Sequence, residues 1–127
     1  MSVPYTIMTR RSDFLAANRG LRVARPGFVL LANANGGKGH RAGITVTKKI
    51  GNAVVRNRMK RRFRALLREV LPVHGLPDTD HVMIGREIGV ERDFALLRDE
   101  LVAALGRAKD GKGDPPRRKG APRKGRR

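Results

Sequence analysis

The sequence contains no cysteine and no tryptophan, and its aromatic side chains are four Phe and one Tyr. Without thiols, disulfides and thiolate metal centres are excluded. No apolar stretch comes near the roughly 18 uninterrupted residues that a membrane-spanning helix requires, so no membrane span is expected. The first residues, MSVPYTIMTRRSDF, lack the basic-then-apolar order of a secretion signal. A cytoplasmic protein is expected. At 127 residues there is room for one domain, or one domain and a tail.

Acidic residues are scarce as well. Eleven Asp and Glu stand against 29 Lys and Arg, a formal net charge of +18. Such an excess points to a polyanionic partner, most naturally a nucleic acid. A membrane surface or a solvated tail would share the total, so the location of the charge decides more. Residues 107–127 hold 10 basic and 2 acidic side chains in a Gly/Pro/Lys/Arg-rich run. That composition cannot bury enough apolar area to order itself, so residues 1–108 are expected to form the domain and 109–127 a disordered basic tail. Inside the domain, residues 48–68 carry nine basic and no acidic side chains. The rest of the domain is close to neutral.

A short helix is expected from Ser12, as its cap, through Asp13, Phe14 and Leu15 to Arg19, with Gly20 as its stop. Residues 26–33 (PGFVLLAN) read as a first strand, 33–40 (NANGGKGH) as a hairpin connection and 41–48 (RAGITVTK) as a second strand. Gly51 and Asn52 offer a turn and an N-cap. From Ala53 to about Val70 the apolar period turns helical, with Pro72 and the loop after it as the end. Residues 80–86 (DHVMIGR) form a third strand. Phe94, Leu97, Leu101, Ala104 and Leu105 mark a last amphipathic helix, ended by Gly106. This order predicts an α/β fold, a two-layer sandwich of helices on a small central sheet. A further short strand near Phe28 or in the loops is compatible with it.

On the long helix, Val55, Met59, Phe63, Leu66, Leu67 and Val70 fill one arc. Asn57, Lys60, Arg61, Arg64 and Arg68 cluster opposite, Arg58 and Arg62 lie on one flank, and Arg56 borders the apolar arc. Like charges four apart, as in Arg56, Lys60 and Arg64, each cost a few tenths of a kcal/mol in an isolated helix. Cations in the first turns also oppose the helix dipole. A lattice of phosphates reverses that sign, and Arg suits bidentate phosphate contacts. Asn57, both donor and acceptor, can bond a base edge or a 2′-hydroxyl.

Catalytic chemistry is not visible. His40, His74 and His81 are scattered over a loop, a turn and a strand start, with no base–nucleophile pair among them. The glycines of NANGGKGH lack the spacing of a phosphate-binding loop. No catalytic or metal-ligating residue is assigned.

The run KKIGNAVVRNRMKRRFR, residues 48–64, resembles the signature of the bacterial ribonuclease P protein component. The similarity extends in order from residue 10 to 108. It implies a ribosomal protein S5 domain 2-like sandwich with a left-handed crossover that carries the basic helix. It also implies a one-to-one ribonucleoprotein with a catalytic RNA, which removes the 5′ leader of precursor tRNA by hydrolysis with Mg²⁺. The chemistry and most of the Mg²⁺ belong to the RNA. By position, Arg56, Asn57, Arg58, Lys60, Arg61, Arg62, Arg64 and Arg68 would contact the RNA subunit.

Phe14, Phe28, Lys48 and Lys49 would meet the leader, in a cleft between the sheet and the first helix. For Phe14 and Phe28 a place in the core is an equally open reading. Asn18 and Leu31 stand where the family often has an aromatic, so stacking is expected to be weaker or carried by Arg. Two rival readings follow from charge alone: a noncatalytic, ribosome-associated binder of structured RNA, and a DNA-compacting protein acting through its tail.

Overall fold

Apolar side chains at every position from Phe28 to Ala32 require a strand covered on both faces. The computed structural model describes residues 5–113 and shows how this is met. In chain order the elements are β1 (Thr6–Ile7), α1 (Arg11–Ala17), β2 (Leu21–Arg25), β3 (Phe28–Ala34), β4 (Arg41–Thr45), α2 (Ala53–His74), β5 (Thr79–Gly85) and α3 (Phe94–Lys109). Single 3₁₀ turns at Lys48–Ile50 and Glu87–Val90 precede α2 and α3. The strands form one mixed sheet in the order β1-β4-β5-β3-β2. β5 pairs antiparallel with β3 and parallel with β4, so α2 is the crossover between two adjacent parallel strands.

The pleat of the sheet divides the core in two. Phe28, Leu30, Ala42 and Met83 face α2 and α3, and Val29, Leu31 and Val82 face α1. α2 and α3 thus form the second layer expected from the sequence, while the seven-residue α1 covers part of the opposite face. α2 approaches the sheet closely because residue 85 is Gly; a Cβ there would run into the Met59 sulfur. At the centre, the fully buried rings of Phe28 and Phe63 meet edge to face with centroids 6.5 Å apart. Truncating Phe63 to Ala is expected to cost about 3–5 kcal/mol, read as a shift in the denaturant midpoint.

Several boundaries differ from the sequence expectations, each for a physical reason. α1 begins at Arg11 with Arg10 at its N-cap position, so Ser12 is not the cap and Asp13 supplies the acid of the first turn. The strand β2 pairs with β3 as a hairpin around Pro26-Gly27 and was not expected from LRVAR. Residues 33–40 are not a hairpin, because β5 lies between β3 and β4. Pro72 lies inside α2, where it removes one donor near the end, and the helix continues to His74. α3 likewise runs past Gly106, since buried Ala108 packs with Ala32 and Leu76 and offsets the roughly 1 kcal/mol glycine cost. Of the expected basic tail, residues 114–127 lie outside the described residues.

Candidate nucleic-acid interface

Asn52 sets the register of the basic helix. Its side-chain oxygen accepts the Val55 amide at 3.0 Å, an N-cap that fixes which side chains turn outward. Met59, Phe63, Leu66, Leu67 and Val70 then fall into the core. Asn57, Arg61, Arg64 and Arg68 lie exposed on the other side. Among the described residues the three arginines have no acidic partner.

Three other arginines of α2 are occupied by the protein itself. Arg56 donates to the Gly51 carbonyl at 2.8 Å and ties the 3₁₀ turn to the helix. Arg58 pairs with Glu91 at 3.1 Å on the open surface, where such a pair stabilises little. Arg62 departs from the expectation that it faces RNA. Its guanidinium turns toward the start of α3, donates to the Arg92 carbonyl and lies 5.9 Å from the centre of the Phe94 ring. Arg62 is therefore a clamp on the connection into α3.

Lys60 also leaves the outer face. It is half-buried and lines a groove between α1, the β1–β4 edge and α2. The groove has two adjoining parts. The outer, about 450 Å³, is lined by Thr9, Arg11, Phe14, Leu15, Ile44, Thr45, Val46 and Lys60. The inner, about 280 Å³, is lined by Tyr5, Ile7, Met8, Phe14, Ala42, Gly43, Ile44, Lys60, Arg64 and Leu67. Phe14, Ile44 and Lys60 border both. The Phe14 ring is seated on Gly43, where any Cβ would lie 2.5 Å from two of its carbons.

The other aromatic expected at this cleft is elsewhere. Phe28 is fully buried against Phe63, on the face of the sheet that packs on α2 and α3, and has no surface to offer a nucleotide. Lys48 and Lys49 are exposed on the 3₁₀ turn and line neither part of the groove.

An ionic chain holds α1 in place over the sheet. Arg41 of β4 makes two hydrogen bonds to Asp80 of β5, at 2.7 and 2.8 Å, and pairs with Asp13 of α1 at 3.4 Å. Asn35 adds a third bond to Asp80 at 2.8 Å. Burial alone would raise the Asp80 carboxyl, but the bonds from Arg41 and Asn35 outweigh it and hold the group below the usual carboxylate range. The same contact to Asp80 raises the Arg41 guanidinium. Asp13 precedes Phe14, so this chain also positions the ring that borders both parts of the groove.

The family model of ribonuclease P matches residues 5–109. The chain belongs to the ribonuclease P protein family. It is 72% identical over 113 residues to the ribonuclease P protein component of Erythrobacter litoralis, covering 89% of this chain and 93% of that one. To the component of Paramagnetospirillum magneticum it is 41% identical over 106 residues, covering 79% and 80%. The fold is similar to that of the Staphylococcus aureus RNase P protein, with a TM-score of 0.67 at 31% identity over 81% of this chain and 94% of that one. The Thermotoga maritima RNase P protein gives a TM-score of 0.62 at 32% identity, over 82% and 94%.

In this ribonuclease P protein two of the three histidines come together. The rings of His40 and His81 lie 6.2 Å apart, while His74 is exposed at the end of α2. His81 is fully buried with both nitrogens engaged: Nδ1–H donates to the Arg41 carbonyl at 2.9 Å and Nε2 accepts the Leu76 amide at 3.0 Å. A ring so held is neutral and has no lone pair free to act as a base. Burial, together with nearby His40, pushes its pKa below the ordinary 6.5. The unfolded chain therefore binds this proton first. The contribution of His81 to stability is full above pH 6.5 and declines as the pH falls below it, by up to about 1.4 kcal/mol per pH unit. Denaturant titrations between about pH 7 and about pH 5.5 should show that slope, and His81→Asn should lose it while lowering the plateau.

Among the described residues, no group of three or more His, Cys, Asp or Glu is placed to hold a metal ion. The acids nearest the groove do not fit a resident Mg²⁺, since Asp80 and Asp13 face Arg41 and Asp78 accepts the Gly39 amide. Among the same residues no helix is long and apolar enough to cross a membrane. Tyr5, Ile7, Arg11 and Leu15 are groove residues that sequence reasoning missed. Two residues of strand show no alternation, and the exposure of Ile7 (62%) and Leu15 (55%) is visible only in the fold.

Proposed function

We propose that the chain is the protein subunit of a cytoplasmic ribonuclease P. It binds the catalytic RNA one to one through the exposed face of α2 and guides the 5′ leader of precursor tRNA along the groove beside α1. The observation that carries this reading is the division of cations on α2. Arg61 and Arg68 are exposed, line neither part of the groove and have no acidic partner among the described residues, whereas Lys60 faces an aromatic-walled groove and the exposed Arg64 stands between, at the border of its inner part. Phosphates in a folded RNA suit the first set. A cationic groove with an aromatic wall suits a single strand.

Hydrolysis is assigned to the RNA, with its Mg²⁺. His81 and Asp80 are committed to structural bonds, and Asp13, Glu69, Glu91 and Glu100 each pair with an arginine. The protein's part is to screen phosphate charge and to hold the substrate strand, which lowers the Mg²⁺ needed for assembly. Reconstitution with a bacterial ribonuclease P RNA at low Mg²⁺ tests the reading. The chain should accelerate leader removal from precursor tRNA and bind that substrate more tightly than leaderless tRNA. Equal rates with and without the chain would refute it.

A further inference from the structure

The cations of α2 and of the groove are only part of the charge. At the other edge of the sheet β2 is the outermost strand. α3 packs over β2 and β3 and α2 packs over β4, so α3 stands between this edge and the basic helix. Leu21 of β2 packs on the cluster of Ala32, Leu76 and Ala108, which brings the end of α3 onto the start of the strand. Around that junction Arg19, Arg22, Arg107 and Lys112 are all exposed, with Asp110 among them. None of the four has an acidic partner among the described residues. Side chains so placed form no shaped site for a base.

The chain also leaves the domain here. Gly111, at φ 74°, ends α3 in a Schellman turn, in which the Lys112 amide donates to the Arg107 carbonyl at 2.8 Å and the Gly111 amide to that of Ala108 at 3.0 Å. Gly113 then lies against the edge strand, where a Cβ would come within 3.2 Å of the Arg22 nitrogen. Residues 114–127 add seven basic side chains and one acid from that point, and a chain of that length reaches at most about 50 Å. We infer that the β2 edge and the basic run that starts beside it form an electrostatic landing surface, which speeds capture of the RNA subunit while the arginines of α2 hold the bound complex.

The inference rests on the RNA-subunit reading of α2. Exposed charges outside a contact face act mainly on the association rate and its salt dependence. A field of one sign raises the rate of encounter with a polyanion by about 10- to 1000-fold. Once bound, flexible exposed side chains gain little, because ordering them offsets the Coulomb energy. Salt screens a fixed charge beyond about 8 Å at physiological strength, so a cationic run with reach meets RNA farther out than the rigid face of α2 does. A large folded RNA presents phosphates on every side, which suits a surface without a shape of its own.

Stopped-flow mixing of the full chain with labelled ribonuclease P RNA reads both rates. One variant carries Arg19→Gln, Arg22→Gln, Arg107→Gln and Lys112→Gln, and a second, of full length, has the seven basic residues of 114–127 replaced by Gln. Each should associate about fivefold more slowly at low salt, and the two sets together about tenfold or more. Dissociation should stay within about twofold of the parent, and the deficit should narrow toward about 0.3 M salt. Arg61, Arg64 and Arg68 changed to Ala should instead act mainly through faster dissociation. Should the fourfold variant unfold early, Arg19→Gln with Lys112→Gln, both outside helix and strand, carries the same test.

Parent-like association by the edge variant overturns the inference even where the tail variant is slow, because the edge then has no part in capture. A loss confined to dissociation also overturns it and makes the edge an ordinary contact. Slower association with precursor tRNA but not with the RNA subunit moves the surface to the substrate and overturns it as well. A parent chain that forms no complex with the RNA defeats the RNA-subunit reading itself, an outcome distinct from all three.

Discussion

Replacing Arg61, Arg64 and Arg68 together with Ala is expected to remove most of the affinity for structured RNA and leave the fold intact. All three are exposed and lack acidic partners among the described residues, so no packing or ion pair is lost with them. The i, i+4 repulsion between Lys60 and Arg64 is relieved, worth a few tenths of a kcal/mol in favour of the helix. The loss appears in binding and in its salt dependence. With about six phosphate contacts, affinity falls roughly a thousandfold between 50 and 200 mM salt, and with three it falls only about fortyfold. Fluorescence anisotropy over that salt range measures both slopes. Arg62→Ala is the informative contrast. Its clamp on Arg92 and Phe94 predicts lower stability with little change of slope, although it lies between Arg61 and Arg64 in the sequence.

That contrast marks where reading the sequence succeeds. The apolar period of α2 and the Asn52 cap are local signals, so the core face and most of the exposed cations were legible before any fold was known. Which flank arginine meets a neighbour was not, because Arg92 and Phe94 lie 30 and 32 positions further along the chain. β3 was legible from its apolar run, whereas β2 was hidden by Arg22 and Arg25 among its five residues. The strand order explains the misread connection at 33–40. Proximity in sequence favours a hairpin, but β5 carries apolar residues on both faces and takes the central place between β3 and β4. Phe14 and Phe28 look alike in composition. Only the pleat, which turns Phe28 toward α2 and α3, and the opposing Gly43 beneath Phe14, distinguish core from groove.

The second large effect is expected at Asp80. Asp80→Asn keeps the shape and an acceptor for Asn35 but removes the charge opposite Arg41. Taking one member from a buried ion pair costs about 3–5 kcal/mol, because the other is left without compensation. The low end applies here, since Arg41 keeps Asp13 at 3.4 Å and is 18% exposed. The effect is pH-dependent with a definite sign. Folding lowers the Asp80 pKa below its ordinary 3.8, so the stabilisation is complete above that value and disappears as the pH falls through the folded one. The difference in unfolding free energy between parent and variant should therefore be constant near neutrality and shrink below about pH 4, as denaturant titrations in acid would show. A gap that persists unchanged into strong acid would mean that packing, not charge, makes Asp80 matter. The consequence for function follows from connectivity: Asp80 holds Arg41, Arg41 holds Asp13, and Asp13 precedes the Phe14 ring that borders both parts of the groove. A weakened chain should thus lower discrimination between leadered and leaderless tRNA, while affinity for the RNA subunit, which the proposed reading places mainly on Arg61 and Arg68 outside the groove, should stay as it was.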